Sequence, residues 1–310
     1  MDAFVFPGQG SQYQGMGKDL SENFKIAQLV YEEANDSLGF DIKALCFSGP
    51  EDALKLTANT QPAILATSIA ALRVLQAETN LSPSFVAGHS LGEYSALVAA
   101  GALTFADALR IVRKRGTYMQ EAVPFGVGAM AAILGVEGDA IVELCEQAAA
   151  DEVVAPANFN SPGQIVIAGH TAAVKRAIEL AKERGAKRAM LLPVSAPFHS
   201  ILMAPAAQRL LPELNLITVS PLTCPVITNV EALPNDDESK VIELLVKQVC
   251  APVRWDESIL KMKDLGVTRY IEIGPGKVLS GLIKRIDRAA TLKNIGDVPS
   301  LEKIQGSSDI

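Results

Sequence analysis

The chain has 310 residues, of which 49% are hydrophobic and 20% charged, with a mean hydropathy of +0.22; these values exclude a disordered chain and fit one large domain or a core domain carrying a second small one. A formal net charge of -7 excludes a general nucleic-acid binder, because neutralising phosphates requires a basic surface. Met1-Asp2-Ala3-Phe4 has no basic stretch before its apolar run, and no run of 18 apolar residues occurs; the expectation is a cytoplasmic protein without a leader or membrane span. Cys46, Cys145, Cys224 and Cys250 are scattered with no C-x-x-C pair, so reduced thiols are expected rather than a zinc site or a disulfide frame.

In chain order, residues 2–6 read as a buried strand that ends at Pro7-Gly8, with a helix after Ser21. A strand over 84–87 runs into Gly88-His89-Ser90-Leu91-Gly92, and the Ala-rich stretch 93–100 reads as a helix. Thr104 with Asp107 resembles a capping box, opening a helix with Phe105, Ala108, Leu109 and Val112 on one face. Residues 128–193 then alternate in the order strand, helix, strand, strand, helix, strand. The strands are placed near 128–134, 152–158, 163–168 and 187–193, and the helices near 139–150 and 171–184. This is the split βαβ order of a ferredoxin-like domain. Asn158-Phe159-Asn160-Ser161-Pro162-Gly163 is expected to form its central hairpin turn. Strands over 225–229 and 269–273, with a helix over 238–249 between them, return to the first pattern. The fold class is therefore α/β, with a large domain (1–124 and 196–310) split around a small one (125–195). The polar tail after Leu292 is expected to fray.

Gly88-His89-Ser90-Leu91-Gly92 matches the G-x-S-x-G nucleophile elbow, in which a strand-to-helix turn exposes the serine and aims the helix N-terminus at a developing oxyanion. An ordinary Gly-rich turn has the same pattern. A serine nucleophile needs a base, and the chain has three histidines, His89, His170 and His199. His89 adjoins the serine, where side chains on a tight turn diverge, and His170 sits between a strand and a helix as a surface or capping residue. His199 follows the insert's last strand where the chain re-enters the large domain, which makes it the best base; the plainer alternative is a structural histidine beside Phe198. Asp107, Asp139 and Asp151 lie between Ser90 and His199, but none is placed as a third member. A backbone or amide carbonyl orienting the imidazole would leave a dyad.

Phe6-Pro7-Gly8-Gln9-Gly10-Ser11-Gln12, Gly88-His89-Ser90-Leu91-Gly92-Glu93, Arg115-Gly116 followed by Met119, Asn158-Phe159-Asn160-Ser161-Pro162-Gly163-Gln164 and Pro197-Phe198-His199 together resemble the ordered signatures of bacterial malonyl-CoA:acyl carrier protein transacylases. The resemblance implies a hydrolase-like parallel-sheet large domain with an inserted ferredoxin-like domain. It implies Ser90 as the acylated nucleophile, His199 as base, and the Gln9 and Leu91 backbone N–H groups as the oxyanion hole. A backbone carbonyl at Gln248 would orient His199, and His89, Asn160 and Phe198 would line the cleft. Arg115 would bind the free carboxylate of the malonyl group, and it lies within about 20° of Ala108 on the helical wheel, near the apolar face. Arg110, Arg113 and Lys114 fit a solvated basic run instead.

The resemblance further implies a ping-pong transfer from malonyl-CoA to acyl carrier protein by a monomer, with no metal or redox cofactor. A serine esterase or thioesterase and a polyketide-pathway acyltransferase are the alternatives, with a catalytically silent docking domain more remote. Docking an acidic carrier protein calls for a basic patch. One candidate is 171–190, with Lys175, Arg176, Lys182, Arg184, Lys187 and Arg188 against Glu179 and Glu183; Lys284, Arg285 and Arg288 form the other.

Overall fold

The computed structural model describes residues 1–194 and 196–306. Its strands, in chain order, are β1 (Asp2–Phe6), β2 (Phe85–Gly88), β3 (Gly128–Leu134), β4 (Val154–Ser161), β5 (Gln164–His170), β6 (Arg188–Leu191), β7 (Val226–Ile227), β8 (Pro234–Asn235), β9 (Val253–Arg254), β10 (Arg269–Ile273) and β11 (Thr291–Ile295). They form two sheets. The larger has the order β11-β10-β1-β2-β7-β8, parallel except for the antiparallel β7–β8 pair. Its central strands are apolar on both faces because both are covered: Phe4 and Phe6 point into one core, Ala3 and Val5 into another built on Trp255, Ile259, Tyr270 and Ile283. From β1 the chain steps to β2 and β7 on one side and later places β10 on the other. A cleft outside the carboxyl end of β1 is the expected result.

The smaller sheet has the order β6-β3-β5-β4-β9. Its first four strands pair antiparallel in the ferredoxin-like arrangement, backed by helices Gly138–Ala149 and Thr171–Glu183. β3 alternates as a two-faced strand should, with Ala131 and Ile133 toward those helices and Met130 toward the main core. The fold is thus a two-domain α/β architecture. β9 comes from outside 125–195 and adds a parallel edge to β4, so the smaller sheet is not confined to the insert.

Three local expectations are corrected. Residues 158–161 belong to β4, which carries register shifts between Pro156 and Asn158 and between Phe159 and Ser161; Asn160 is presented by an irregular strand rather than a turn. The tail after Leu292 is ordered through Gln305, because β11 pairs with β10 and the helix Val298–Gln305 has a capping box at Asp297 and Ser300 and buries Leu301 and Ile304. Thr104 caps its helix by accepting from Asp107 N–H, but the Asp107 carboxylate accepts from the Thr104 hydroxyl and not from its backbone. All four cysteines are free, and Cys46 and Cys145 are buried.

The largest unanticipated element is the helix Thr57–Glu78, of 22 residues and buried without a break from Thr60 to Leu72. A helix apolar all round has no amphipathic period to reveal it. It packs against Phe105–Glu121 at close range. A Cβ on Gly116 would lie 2.6 Å from the Thr57 carbonyl oxygen, so only glycine permits that approach. Pro62 leaves the Ala58 carbonyl without its intrahelical donor, and Arg113 Nη1 donates to it at 2.7 Å. Arg113 is therefore a half-buried clamp between two helices, also placed over the Phe40 ring, and not part of a solvated run.

Candidate active site

β2 ends at Gly88, and Ser90 has a φ of 52°. A Cβ on Gly88 would lie 1.9 Å from the Gly92 backbone carbon, and one on Gly92 would lie 2.1 Å from the Phe6 carbonyl oxygen. The two glycines are what let the elbow close against β1 and its own helix, and the left-handed serine costs about 1–3 kcal/mol that the surrounding contacts must hold. Those contacts are specific. Ser90 N–H donates to Asn229 Oδ1 at 2.7 Å, and Gln248 Nε2 donates to the Ser90 carbonyl at 3.0 Å. With the Ser90 N–H occupied, the next donor is Leu91 N–H. Neither it nor Gln9 N–H has a hydrogen-bond partner among the described residues. Both border the cleft beside Ser90, at the start of the helix Gly92–Ala99, where the helix dipole favours negative charge.

His199 Nε2 lies 2.7 Å from Ser90 Oγ. Its Nδ1 meets the carbonyls of Gln248 at 2.9 Å and Ala251 at 3.1 Å. Carbonyls only accept, so Nδ1 carries the proton and the Nε2 lone pair faces the serine hydroxyl. No carboxylate is needed for this orientation. Burial, followed by the nearby Arg115 cation, pushes the His199 pKa down from its usual value to about 3. The imidazole is therefore neutral and able to accept a proton throughout the physiological range. We expect 15N-edited spectra at pH 5.5 to show His199 with Nδ1 protonated and Nε2 bare; an imidazolium signature at that pH would contradict this environment. With three histidines in the chain, assignment is tractable.

Arg115 is 1% exposed. Its Nη2 donates to Ser90 Oγ at 3.1 Å and to Gln248 Oε1 at 2.9 Å, its Nη1 donates to Gln61 Oε1 at 2.9 Å, and Tyr94 lies beside the guanidinium. Burial lowers its pKa, but a guanidinium remains charged in proteins. Glu93 is a nearby carboxylate, which burial pushes up to about 7 against the pull of its Gln248 and Asn229 hydrogen bonds and of Arg115. A desolvated cation beside Ser90 Oγ is suited to receive a carboxylate.

These groups open into a cleft of about 220 Å³ between the two sheets, walled by Met130, Val166, Leu192, Val194 and Phe198. His89 bridges the two layers, its Nε2 2.8 Å from Asn160 Oδ1 and its ring against Trp255. His170 stands apart, its Nδ1 accepting from Val153 N–H. Ser90, His199, Gln9, Leu91, Arg115, His89, Asn160 and Phe198 thus share one cleft, with Gln248 behind it. Reasoning from sequence missed Gln61, Asn229 and Ala251 and assigned no part to Glu93. The one visible signal was Gln61, a polar side chain at the head of the apolar run from Pro62. Among the described residues, no group of three or more His, Cys, Asp or Glu side chains is placed to hold a metal ion.

An elbow serine, a neutral imidazole held by backbone carbonyls, two open N–H donors and a buried arginine define a serine acyl-transfer site. The family model described as an acyl transferase domain matches residues 3–307. The malonyl CoA-acyl carrier protein transacylase of Escherichia coli K12 is 51% identical over 284 residues, 92% of each chain. That of Bacillus subtilis 168 is 50% identical, covering 97% of this chain and 95% of its own. An acyl carrier protein S-malonyltransferase from Vibrio cholerae superposes with a TM-score of 0.96 at 49% identity, over 98% of this chain and 99% of that one. A malonyl-transacylase solved in complex with its type II PKS acyl-carrier protein has a TM-score of 0.95 at 46% identity, over 97% of this chain and 98% of that one. The chain belongs to the acyl transferase family and, within it, to the malonyl CoA-acyl carrier protein transacylases.

Proposed function

We propose that this protein moves the malonyl group from malonyl-CoA to the phosphopantetheine thiol of acyl carrier protein through a malonyl ester on Ser90. The observation that carries the reading is the pairing of Ser90 Oγ with both His199 Nε2 and the buried guanidinium of Arg115. His199 takes the Ser90 proton as Oγ attacks the thioester carbonyl. The oxyanion is met by Leu91 and Gln9 N–H, each such donor being worth about 3–4 kcal/mol. Collapse breaks the C–S bond, and the proton on Nε2 leaves with the CoA thiol. In the second half the carrier thiol gives its proton to Nε2, its sulfur attacks the ester carbonyl, the C–Oγ bond breaks, and the proton returns to Ser90 Oγ. Arg115 grips the distal carboxylate throughout, so an acetyl group leaves a buried cation unpaired and is selected against. No step draws on a metal or redox cofactor. The protein acts as a cytoplasmic monomer whose large domain, 1–124 with 196–310, encloses the insert 125–195. No helix among the described residues is long and apolar enough to cross a membrane.

The test is transfer from malonyl-, methylmalonyl- and acetyl-CoA to a carrier protein, with intact-protein mass spectrometry for the acyl-enzyme. Malonyl transfer with a Ser90 adduct supports the reading, and rapid hydrolysis without transfer to a thiol would replace it with a thioesterase. A polyketide carrier is the second reading, favoured by the structural relative bound to a type II PKS carrier protein; carriers of both pathways belong in the same assay.

For carrier docking, half of the basic residues in the 171–190 patch are engaged locally. Arg176 pairs with Glu152, Lys182 with Glu179, and Arg184 donates to Gln147. Lys284, Arg285 and Arg288 are exposed, and Arg285 donates to Gln164 at the cleft wall. Reversing Lys284 and Arg288 to Glu should raise the carrier KM roughly tenfold at low ionic strength, with the maximal rate of acylation by malonyl-CoA unchanged. An unaltered carrier KM would exclude this patch.

A further inference from the structure

Glu93 follows the elbow directly, is 2% exposed, and stands outside the acyl cleft, beside a small separate cavity with Thr228 and Asn235. One of its oxygens, Oε2, accepts from Gln248 Nε2 at 2.8 Å and from the Asn229 backbone N–H at 3.0 Å. The side chain of Asn229 in turn holds both ends of the elbow, accepting from Ser90 N–H and donating to the Gly88 carbonyl at 2.7 Å.

A terminal amide is free to turn end for end, and the acceptor at its NH2 end decides which way it settles. Facing two N–H donors, Oε2 accepts whether the carboxyl is ionised or carries its proton on Oε1. Glu93 Oε2 therefore draws the NH2 of Gln248 to itself and to the Ser90 carbonyl, which leaves Oε1 facing Arg115 Nη2. The reversed amide would set NH2 against the guanidinium, donor against donor. We propose that Glu93 is the positioning residue of this centre: through Gln248 it aims Arg115 and fixes the Ser90 carbonyl, and through Asn229 it fixes the Ser90 N–H. The proposal rests on the acyl-transfer reading given above. The Glu93 side chain lines neither the cleft nor the reacting atoms, and its hydrogen bonds reach them only through Gln248 and Asn229.

The test compares Glu93→Met, close in size but without an acceptor, with Glu93→Gln, which retains an amide oxygen for both N–H groups. In single-turnover acylation, Glu93→Met should lower kcat/KM for malonyl-CoA on the order of 10²-fold, as expected for a misaimed reactive group. It should also reduce the malonyl-over-acetyl preference at least about tenfold, a readout that loss of packing alone would not move. Glu93→Gln should stay within about threefold of wild type on both measures, and Gln248→Met, which cuts the link from the other end, should show the same loss of preference. Adding it to Glu93→Met should cost little more, the non-additive result for residues acting in series. Wild-type preference in Glu93→Met, or a Glu93→Gln variant as impaired as Glu93→Met, overturns the proposal. If Glu93→Met does not fold, an unaltered preference in Gln248→Met overturns it instead. Failure of the wild type to form a malonyl-Ser90 adduct would sink the functional reading itself, a different and separately visible result.

Discussion

Ser90→Ala will abolish the malonyl adduct in intact-protein mass spectrometry and lower transfer by at least about 10⁴-fold, with any residual rate coming from oxyanion donors and binding alone. The reason is positional. Oγ is the atom that both His199 Nε2 and Arg115 Nη2 address, and the elbow presents no second hydroxyl there. His199→Ala should approach the same loss, because the serine proton then has no acceptor at Nε2. Since the two residues act as a unit, the double variant should be scarcely worse than either single one. Full-stoichiometry adduct on Ser90→Ala would refute the assignment of the nucleophile, and additive losses would show that the pair does not act in concert.

Arg115→Ala should lower malonyl acylation on the order of 10³-fold while leaving acetyl acylation nearly unchanged, so that selectivity collapses. Removing the guanidinium also strips the donors from Gln61 Oε1 and Gln248 Oε1. Each buried acceptor left unpaired costs about 1–3 kcal/mol, so a lower Tm should accompany the change. Stability and selectivity can be separated with Arg115→Lys. An ammonium keeps the charge but cannot present two parallel N–H groups to a carboxylate, so its malonyl rate should remain far below wild type with a smaller fall in Tm. An unchanged malonyl-to-acetyl ratio in Arg115→Ala would remove Arg115 from the selection of substrate.

Features governed by short-range sterics and periodicity could be read in the chain. The elbow was legible because a strained serine between β2 and its helix demands glycine at 88 and 92, where any Cβ would collide. The insert was legible because each strand and helix has its own alternation, and the antiparallel order follows from their succession. Arg115 was partly legible, since its place on an amphipathic helix set it near the buried face. The helix Thr57–Glu78 was not, because burial on every side erases the period, and Gln61 was lost with it. The tail as far as Gln305 was misread because composition registers polarity but not the partner strand β10 that accepts β11; residues 307–310 lie outside the described residues.

The sequence alone placed Ser90 on a strand-to-helix elbow between two glycines, since a turn of five residues obeys local steric rules. The tertiary structure showed that His199, favoured over His89 and His170 in the sequence, reaches Ser90 Oγ across 109 positions of chain. It likewise added the Ala251 carbonyl to that of Gln248, expected from the resemblance, at His199 Nδ1 and placed Glu93 against amides from two distant segments. The physical reason is common to all three. A hydrogen bond between residues far apart in sequence depends on how sheets and helices pack, and nothing in the local pattern at either end records its partner.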